Sequence, residues 1–436
     1  MLELVRYPSD PLAAKLCDIL GRRAGVPAEI SQTVAEILAA VQERGDQALV
    51  ELSRTIEGVE LNPDQFRVGK GALAAAAAAM APDLRRAVEQ AAANIGAFHE
   101  RQRLNSWFME DGDGVILGKK VTPIDRVGIC VPGGQAPLLS SLLMAAVPAQ
   151  KAGVGSICVV SPPRDKGLPH ADILATAHLL GLDEVYALGG AQAVGAMAFG
   201  TETVAPVDKI VGPGSLYTVA AKQQVFGQVG IEMMPGPSEI VVLADEGANP
   251  RYVAADLLSQ AEHGTGHEAS VCITSCEEVG RRVQEEVVRQ AARLPRAQAI
   301  GQALERFGAV VVVPDLECGI QLLNRMAPEH VELLVQEPWA WLEKIRHAGA
   351  VFLGPASTEP VGDYFAGTNH VLPTNGAARF ASSLGLADFV KTTSIIAYTP
   401  TRLQQVGDQI IRLAEAEGFA AHAEAVRIRL EEGDRL

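Results

Sequence analysis

Four short stretches of the sequence bring together side chains that could bind a metal ion or transfer a proton. In the first, residues 257–264 (LLSQAEHG), Gln260 and His263 are three residues apart and would share one face of a helix that ends near Gly264. Both side chains can bind a metal, but a histidine in this position can equally cap the last carbonyls of the helix. His267 is interpreted as a loop residue, because the intervening glycines would interrupt the helix that a His-x3-His pair requires.

The second stretch places a carboxylate next to an imidazole, at Glu329 and His330. Pro328 disfavours a helix before it, so the pair is expected in a turn that leads into an apolar run. Such a pair could accept and donate protons during a reaction. Adjacent glutamate and histidine residues are also common on protein surfaces, and the pair alone does not separate the two interpretations.

The other two stretches lie towards the C-terminus. Residues 362–373 (GDYFAGTNHVLP) gather Asp363 and other polar side chains around two glycines, which is typical of an active-site loop but also of a turn bonded to its own backbone. Glu417 and His422 would face different directions on one helix, but Gly418 could break the helix between them. An isolated histidine here is more often a surface residue. Together the stretches supply nitrogen and oxygen ligands for zinc, although glutamine is an unusual one.

An αβ framework is expected to carry these residues. From residue 125 onward, short apolar runs alternate with helix-length segments, as in βαβ units with a parallel sheet. The predicted strands are 127–131, 156–161, 185–188, 209–211, 239–243, 269–273, 309–313, 331–334 and 350–353. The helices predicted after the first four strands are 140–153, 171–180, 191–199 and 216–226, and two earlier helices begin near Pro27 and Pro82. The first four strands are each followed by glycine or proline, and ligands of parallel sheets bind at the carboxyl ends of strands.

Composition excludes several classes of function. The 436 residues exceed what one core usually holds, and the formal net charge of -15 argues against nucleic-acid binding. No signal peptide and no apolar run long enough to cross a membrane is evident. The scattered cysteines form no CxxC pair and are interpreted as reduced thiols of a cytoplasmic protein. No GxGxxG, phosphate-loop or HExxH motif is present, so NAD binding cannot be inferred from a general motif.

In this order the motifs closely resemble those of the histidinol dehydrogenase family, over nearly the whole chain. They are residues 91–102 (AAANIGAFHERQ), 131–134 (VPGG), 189–193 (GGAQA), 212–214 (GPG), 236–239 (GPSE), 258–263 (LSQAEH), 327–330 (APEH) and 367–374 (GTNHVLPT). The resemblance implies one zinc ion per subunit, and its ligands would be Gln260, His263, Asp363 and His422. It implies that Glu329 and His330 are the catalytic pair. The substrate contacts that it implies are Ser238, Gln260, His263, His330, Asp363, Glu417 and His422.

The resemblance also implies the reaction and the assembly. L-histidinol would be oxidised to L-histidine through bound L-histidinaldehyde, with two NAD as hydride acceptors, in a cytoplasmic homodimer whose subunits share active sites. The fold would be α/β, with two Rossmann-like αβα domains arranged as in aldehyde dehydrogenases, a helical N-terminal portion and a small C-terminal extension. The expected divisions are an N-terminal extension (1–24), a first αβ domain carrying most zinc and catalytic residues (25–129 with 240–382), an NAD-binding αβ domain (130–239) and an extension exchanged between subunits (383–436).

Three positions are expected to contact NAD, and two of them depart from the family pattern. Cys130 stands where the family commonly has tyrosine, and Ser215 where it commonly has asparagine, whereas Gln192 is retained. Cysteine cannot stack or donate like tyrosine, and serine has a shorter reach than asparagine, so weaker or altered NAD binding is expected. Milder departures are Pro235 for alanine and Glu232 for aspartate.

Three other functions remain open at this stage. A relative that retains the zinc and catalytic residues could oxidise a different small amino alcohol or diol, although Glu417 argues for an imidazole-bearing substrate. A zinc-bound dimer could sense a metabolite without catalysis, although Glu329 and His330 argue against it. A nucleotide-binding structural module has no phosphate loop to support it.

Overall fold

The computed structural model describes residues 2–9, 14–22, 25–112, 114–133, 137–234, 236–263 and 266–432. Gly134, Pro235 and Gly264, which entered the sequence predictions, lie outside the described residues. The chain forms two compact units, one of Met1–Gln102 with Ile124–Asp388 and one of Arg103–Pro123 with Phe389–Leu436.

The first unit contains most of the helices. They are α1 (Ala14–Gly21), α2 (Ala28–Arg44), α3 (Asp46–Leu52), α4 (Pro63–Phe66), α5 (Lys70–Ala79), α6 (Pro82–Glu100), α7 (Leu139–Ala152), α8 (Ala171–Leu179), α9 (Gly190–Phe199), α10 (Leu216–Val225), α11 (Pro250–Ala261), α12 (Glu277–Ala291), α13 (Ala297–Phe307), α14 (Leu316–Met326), α15 (Pro338–Leu342) and α16 (Glu359–Tyr364). A π-helical segment, Ser53–Glu57, follows α3. Helices α17 (Pro400–Ala416) and α18 (Ala420–Glu432) belong to the second unit. Among the helices in the described ranges, none combines the length and apolar character that a membrane span requires.

The strands form three sheets. In chain order they are β1 (Glu3–Arg6), β2 (Trp107–Glu110), β3 (Ile116–Pro123), β4 (Arg126–Cys130), β5 (Ser156–Ser161), β6 (Val185–Ala187), β7 (Lys209–Val211), β8 (Gly230–Ile231), β9 (Glu239–Ala244), β10 (Ala269–Thr274), β11 (Gly308–Val312), β12 (His330–Leu334), β13 (Ala350–Leu353) and β14 (Val390–Ala397). The first unit holds a six-stranded and a five-stranded sheet, and the second unit holds a three-stranded sheet.

The six-stranded sheet is parallel throughout, in the order β1-β11-β10-β9-β12-β13. Its central strand β9 is buried along its whole length, because helices cover both faces of the sheet. Ile240 and Val242 pack against α11, α12 and α13, while the intervening Val241 and Leu243 pack towards α1 and α14. The sheet is therefore the middle layer of an αβα sandwich.

The five-stranded sheet is also parallel, in the order β6-β5-β4-β7-β8. Helices α2, α9 and α10 pack together, and α7 packs with α6 and α8. The α/β fold class with two parallel, helix-covered sheets that the sequence predicts is thus confirmed. The predicted strands and the helices after the first four strands agree with the observed elements to within one residue at each end.

The second unit combines the antiparallel sheet β14-β3-β2 with the paired helices α17 and α18. The sequence did not indicate β2, β3 or β14, and residues 103–123 had been grouped with the first αβ domain. Nor did it indicate β1, by which the expected N-terminal extension joins the edge of the six-stranded sheet. The proposed domain boundaries stay a prediction.

Candidate active site and metal centre

The candidate catalytic and metal-binding residues of the first unit gather at the amino ends of β9 and β12. His330 begins β12 and Glu329 immediately precedes it, while Ser238, which is half-buried, immediately precedes β9. Helix α11 follows β9 and runs back across the sheet, so its last turn, with Gln260, comes to the same edge. The turns after the strands of this sheet, at its carboxyl edge, hold none of these side chains.

The last turn of α11 presents an amide and an imidazole side by side. Gln260 is fully buried, and its Oε1 has no hydrogen-bond partner among the described residues. The Nδ1 of the exposed His263 lies 3.0 Å from the Gln260 carbonyl oxygen and 3.2 Å from its Nε2. A proton on Nδ1 would satisfy the carbonyl and leave Nε2 available to a metal. The capping and metal-binding interpretations of His263 are therefore compatible.

Helix α16 supplies two carboxylates to this group. Glu359 and Asp363 are four residues apart and project from one face of the helix. One oxygen of each, with a ring nitrogen of His263, forms a cluster whose ligand atoms all lie within 4.8 Å of one another. The prediction of a polar loop around Asp363 is wrong, because the residue lies on a helix that Pro360 initiates. Only that helix would have revealed Glu359, which sequence reasoning missed.

Buried carboxyl groups accept hydrogen bonds from the N-terminus of α16. Glu332 of β12 accepts the Glu359 N–H at 2.7 Å, and Asp256 accepts the Thr358 hydroxyl at 2.7 Å. Burial, with repulsion from Asp256, raises the pKa of Glu332 to about 10. Burial likewise raises the pKa of Glu359. This concentration of acid groups would favour a cation in the adjacent cluster.

Glu329 and His330 form a buried acid–base pair. The Oε2 of Glu329 lies 3.7 Å from Nδ1 of His330, and burial raises the pKa of Glu329 to about 7. Burial alone would lower the pKa of His330, but the Glu329 and Asp363 carboxylates outweigh it and raise it to about 10. The Nε2 of His330 is buried with no hydrogen-bond partner among described residues, and it lies 3.8 Å from Oδ1 of Asp363. At that distance the attraction is electrostatic, and the imidazole lies beside the candidate metal ligands.

Two of the sequence motifs hold the segment that follows α16 in place. His370 contacts the Asp363 carbonyl through Nδ1 at 3.0 Å, and Asn369 donates to the Met144 carbonyl of α7 at 2.7 Å. Asn94 of α6 donates to the Phe365 carbonyl at 2.8 Å. The GTNHVLPT and AAANIGAFHERQ motifs thus help to position Asp363 without contributing ligand atoms to the cluster.

Glu417 and His422 lie in the second unit. Helix α17 ends at Ala416, Gly418 has a φ of +79° and α18 begins at Ala420, so the chain does break between the two residues. Both side chains are exposed, and the His422 ring lies 5.1 Å from the ring of Phe419. Both side chains are therefore accessible to a second molecule from their own unit.

The three residues expected to contact NAD lie at the carboxyl edge of the five-stranded sheet. Cys130 ends β4, Gln192 lies in the first turn of α9, and Ser215 caps the N-terminus of α10. The thiol of Cys130 is buried, which raises its pKa to about 12. Gln192 is only 1% exposed, and its Nε2 donates to Oε1 of Glu57 at 3.3 Å.

Glu57 separates Gln192 from a surface cavity of about 910 Å³ that Gln65, Arg164 and Lys166 also line. Burial raises the pKa of Glu57 to about 7. Glu57 lies in the helical N-terminal portion, more than a hundred residues before Gln192, and no feature of the sequence connects the two.

Glu232 anchors the turn that leads to Ser215. Its Oε1 accepts the Gly212 N–H at 3.0 Å and the Lys222 ammonium at 2.5 Å. Lys222 also donates to the Gly212 carbonyl at 3.0 Å, and both charged side chains are almost fully buried. The turn at 212–214 is therefore held through both the N–H and the carbonyl oxygen of its first residue, Gly212.

Fold and site together define a two-sheet α/β enzyme in which a candidate metal centre adjoins a buried acid–base pair. The histidinol dehydrogenase family model matches residues 21–430. The chain belongs to this family and is an oxidoreductase, a dehydrogenase.

Known proteins resemble the chain over almost its full length. It is 50% identical to the histidinol dehydrogenase of Geobacillus kaustophilus over 406 residues, which cover 93% of this chain and 95% of the relative. It is 46% identical to that of Syntrophotalea carbinolica over 433 residues, covering 99% of this chain and 100% of the relative. The crystal structure of histidinol dehydrogenase from Elizabethkingia anophelis superposes with a TM-score of 0.92 at 38% identity, covering 99% of this chain and 98% of that one. The resemblance read from the motifs is confirmed.

Proposed function

We propose that the protein oxidises L-histidinol to L-histidine through bound L-histidinaldehyde, with two NAD as successive hydride acceptors. The observation that carries this proposal is the convergence of Gln260, His263 and Asp363 beside the Glu329–His330 pair. A site with several nitrogen and oxygen donors next to a buried acid–base pair suits a polar substrate that must be held while two oxidations proceed.

The residues present fit a zinc ion. Among the residues that the structure describes, none donates to the buried Oε1 of Gln260, and a cation would provide the missing partner. Imidazole with carboxylate ligands is a common zinc donor set. Gln260, His263, Asp363 and His422 of the partner subunit would hold the ion. When bound, it would orient the nitrogen groups of the substrate and polarise its alcohol.

The acid–base pair would carry the proton transfers. In the first oxidation Nε2 of His330 takes the proton of the alcohol hydroxyl. At the same time hydride passes from the carbon that bears this hydroxyl to the nicotinamide. Glu329, whose pKa lies near neutrality, then removes a proton from the water that adds to the aldehyde. The hydrate then loses the second hydride and a proton to give the carboxylic acid, which releases a further proton to become the carboxylate. Because Asp363 is one of the groups that raise the pKa of His330, a cation on Asp363 would bring this imidazole closer to the range of a base.

Ser238, Glu417 and His422 would complete the substrate contacts, with Glu417 and His422 supplied by a second copy of the chain. Many large apolar side chains of the second unit are exposed, which is typical of a surface that another chain covers. They include Trp107, Phe108, Met109, Ile396, Leu413 and Phe419. We therefore propose a homodimer with shared active sites. All six cysteines are unpaired, as expected of a cytoplasmic enzyme.

Cys130, Gln192 and Ser215 are proposed to line the NAD site, which their position at the carboxyl edge of a parallel sheet supports. Restoring the side chains common in the family, as Cys130→Tyr with Ser215→Asn, should tighten NAD binding because both regain contact groups. Titration of the protein with NAD by calorimetry compares the two dissociation constants. An unchanged constant in the double variant would remove these positions from the site.

The reaction is tested by the yield of NADH per histidinol consumed, with and without a chelator. Two NADH per substrate, lost on chelation and restored by zinc, are expected. Preferential turnover of another amino alcohol or diol would show that histidinol is not the substrate. If none of these compounds gave NADH, the proposed reaction would be wrong.

Shared sites are tested by co-expressing two inactive variants, His422→Ala and Asp363→Asn. If one chain supplies His422 and the other Asp363, mixed dimers contain one intact site, and about a quarter of wild-type activity returns. Activity that stays at the level of the separate variants would show that each chain builds its own site.

A further inference from the structure

Glu239 binds both members of the acid–base pair at once. Its backbone N–H donates to Oε2 of Glu329 at 3.0 Å, and its carbonyl oxygen lies 3.1 Å from Nδ1 of His330. Its side-chain carboxylate accepts the N–H of Glu329 at 3.2 Å. The last bond makes the contact reciprocal, because each glutamate accepts the backbone N–H of the other. The position of Glu239 therefore sets the positions of both reacting side chains.

Arg22 holds the carboxylate of Glu239 through an ion pair. Arg22, which directly follows α1, is ion-paired with Oε1 of Glu239, and the same oxygen accepts the Asn375 N–H at 3.0 Å. The Arg22 side chain is only 6% exposed. Its Nε and Nη1 are buried with no hydrogen-bond partner among described residues.

Such a pair is an unfavourable way to gain stability. Removing two charges from water costs more than their attraction usually returns, and the unpaired nitrogens add to that cost. Hydrophobic side chains of similar size would serve the core better. The retained charge is explained if the carboxylate must stay ionised and in register to accept two backbone N–H groups. Burial raises the pKa of Glu239, and the guanidinium of Arg22 opposes that rise.

We propose that Arg22 is a positioning residue of the active site: by fixing the Glu239 carboxylate, it holds Glu329 and His330 in register with the metal cluster. The inference rests on the proposed function only for the roles of Glu329 and His330, since the hydrogen bonds themselves are independent of the substrate. It gives the residue that directly follows helix α1, far from the site in sequence, a part in catalysis.

The test compares Arg22→Ala with the wild-type protein in the histidinol assay. We expect kcat to fall about 100-fold, because misplacement of a catalytic group by about 1 Å can have an effect of that size. KM should change by less than about threefold, since all the proposed substrate contacts except His330 lie on residues that Glu239 does not position. A cavity of about 290 Å³, lined by Arg22 and Glu239, adjoins the pair, so guanidinium ion at concentrations below the denaturing range should enter and restore much of kcat.

Arg379→Ala is the matched control. Arg379 lines the same cavity but donates to the carbonyls of Asn324 and Arg325 and not to Glu239. It should retain kcat and show no response to guanidinium. Should Arg22→Ala not fold, Arg22→Gln keeps most of the side-chain volume without the charge and should show the same loss of kcat with KM retained.

A second readout separates this inference from the proposed reaction. In ¹⁵N-histidine-labelled protein, the His330 Nδ1–H bonded to Glu239 should give a slowly exchanging proton signal, identified by its absence in His330→Gln. It should exchange faster in Arg22→Ala and recover with guanidinium, whichever alcohol is the substrate. A folded variant with unchanged kcat and an unchanged signal would overturn the inference, as would a loss of kcat that guanidinium does not reverse.

Discussion

Glu57→Gln should stabilise the protein by an amount that grows as the pH rises from about 4.5 to about 7. The Oε1 of Glu57 accepts a hydrogen bond from Nε2 of Gln192, the Gly189 N–H also donates to this carboxylate, and Oε2 is buried with no hydrogen-bond partner among described residues. Glutamine keeps the accepting oxygen and the shape of the side chain but has no charge to bury. The substitution therefore removes the penalty of ionisation and leaves the hydrogen bonds in place.

The size of the effect follows from the pKa. Burial raises the pKa of Glu57 from 4.5 to about 7, so the folded chain binds this proton more tightly than the unfolded chain. The contribution of Glu57 to the free energy of unfolding is therefore fully present below the unfolded pKa, and it decreases as the pH rises towards about 7. The difference between the folded and unfolded pKa corresponds to a loss of stability of about 3 kcal/mol at most. Partial exposure of the side chain reduces this loss to about 2 kcal/mol.

Thermal unfolding followed by circular dichroism, at one protein concentration between pH 4.5 and 8.5, measures this difference. The variant should match the wild-type protein at the acidic end and exceed its Tm by about 2–4 °C at pH 8. Glu60→Gln, an exposed neighbour on the same cavity, is the control and should have no pH-dependent effect. A Tm difference that is constant with pH, or a less stable Glu57→Gln at pH 8, would refute the reasoning.

Three further predictions follow from contacts in the first unit. Asp363→Asn should weaken zinc binding by more than the roughly 10–100-fold that supporting residues contribute, as measured by chelator competition; unchanged affinity would exclude Asp363 as a ligand. Gly367→Ala should lower the free energy of unfolding by about 2 kcal/mol in urea, because φ is +102° and the added Cβ would lie 2.6 Å from the Asn94 carbonyl oxygen; a neutral result would contradict this backbone geometry. Lys222→Met should cost about 3–5 kcal/mol in the same assay by leaving the Glu232 charge buried and unpaired, and a stabilised variant would show that the pair is dispensable.

The strands of the two parallel sheets were predictable because their burial is written into short stretches of sequence. Strand β9 reads EIVVLA and β10 reads ASVCIT, and each is buried along its whole length. The second unit gave no such signal. Strand β2 is exposed at every residue, and β14 carries a run of polar residues, so neither shows the pattern of a strand that faces a core.

The candidate site was predictable as a set of motifs but not as a geometry. Gln260 and His263 were recognisable from their helical spacing, whereas Asp363 and His330 reach them only through the packing of α16 and β12. Spacing along the chain contains no information about that packing. Glu359 was missed for this reason, since its place next to Asp363 depends on a short helix that the glycines and polar residues of the segment concealed.

Strand β1 has a consequence for aggregation. It pairs with β11 through residues Glu3–Arg6 and is the outermost strand on that side of the six-stranded sheet. Beneath it, β11 reads GAVVV, an apolar and uncharged segment. Proteolytic trimming of the first eight residues would leave the backbone N–H and C=O groups of β11 that face β1 without partners, and such an edge readily pairs with its counterpart in another molecule. Strand β1 thus protects the edge of β11 from self-association, in addition to being part of the sheet.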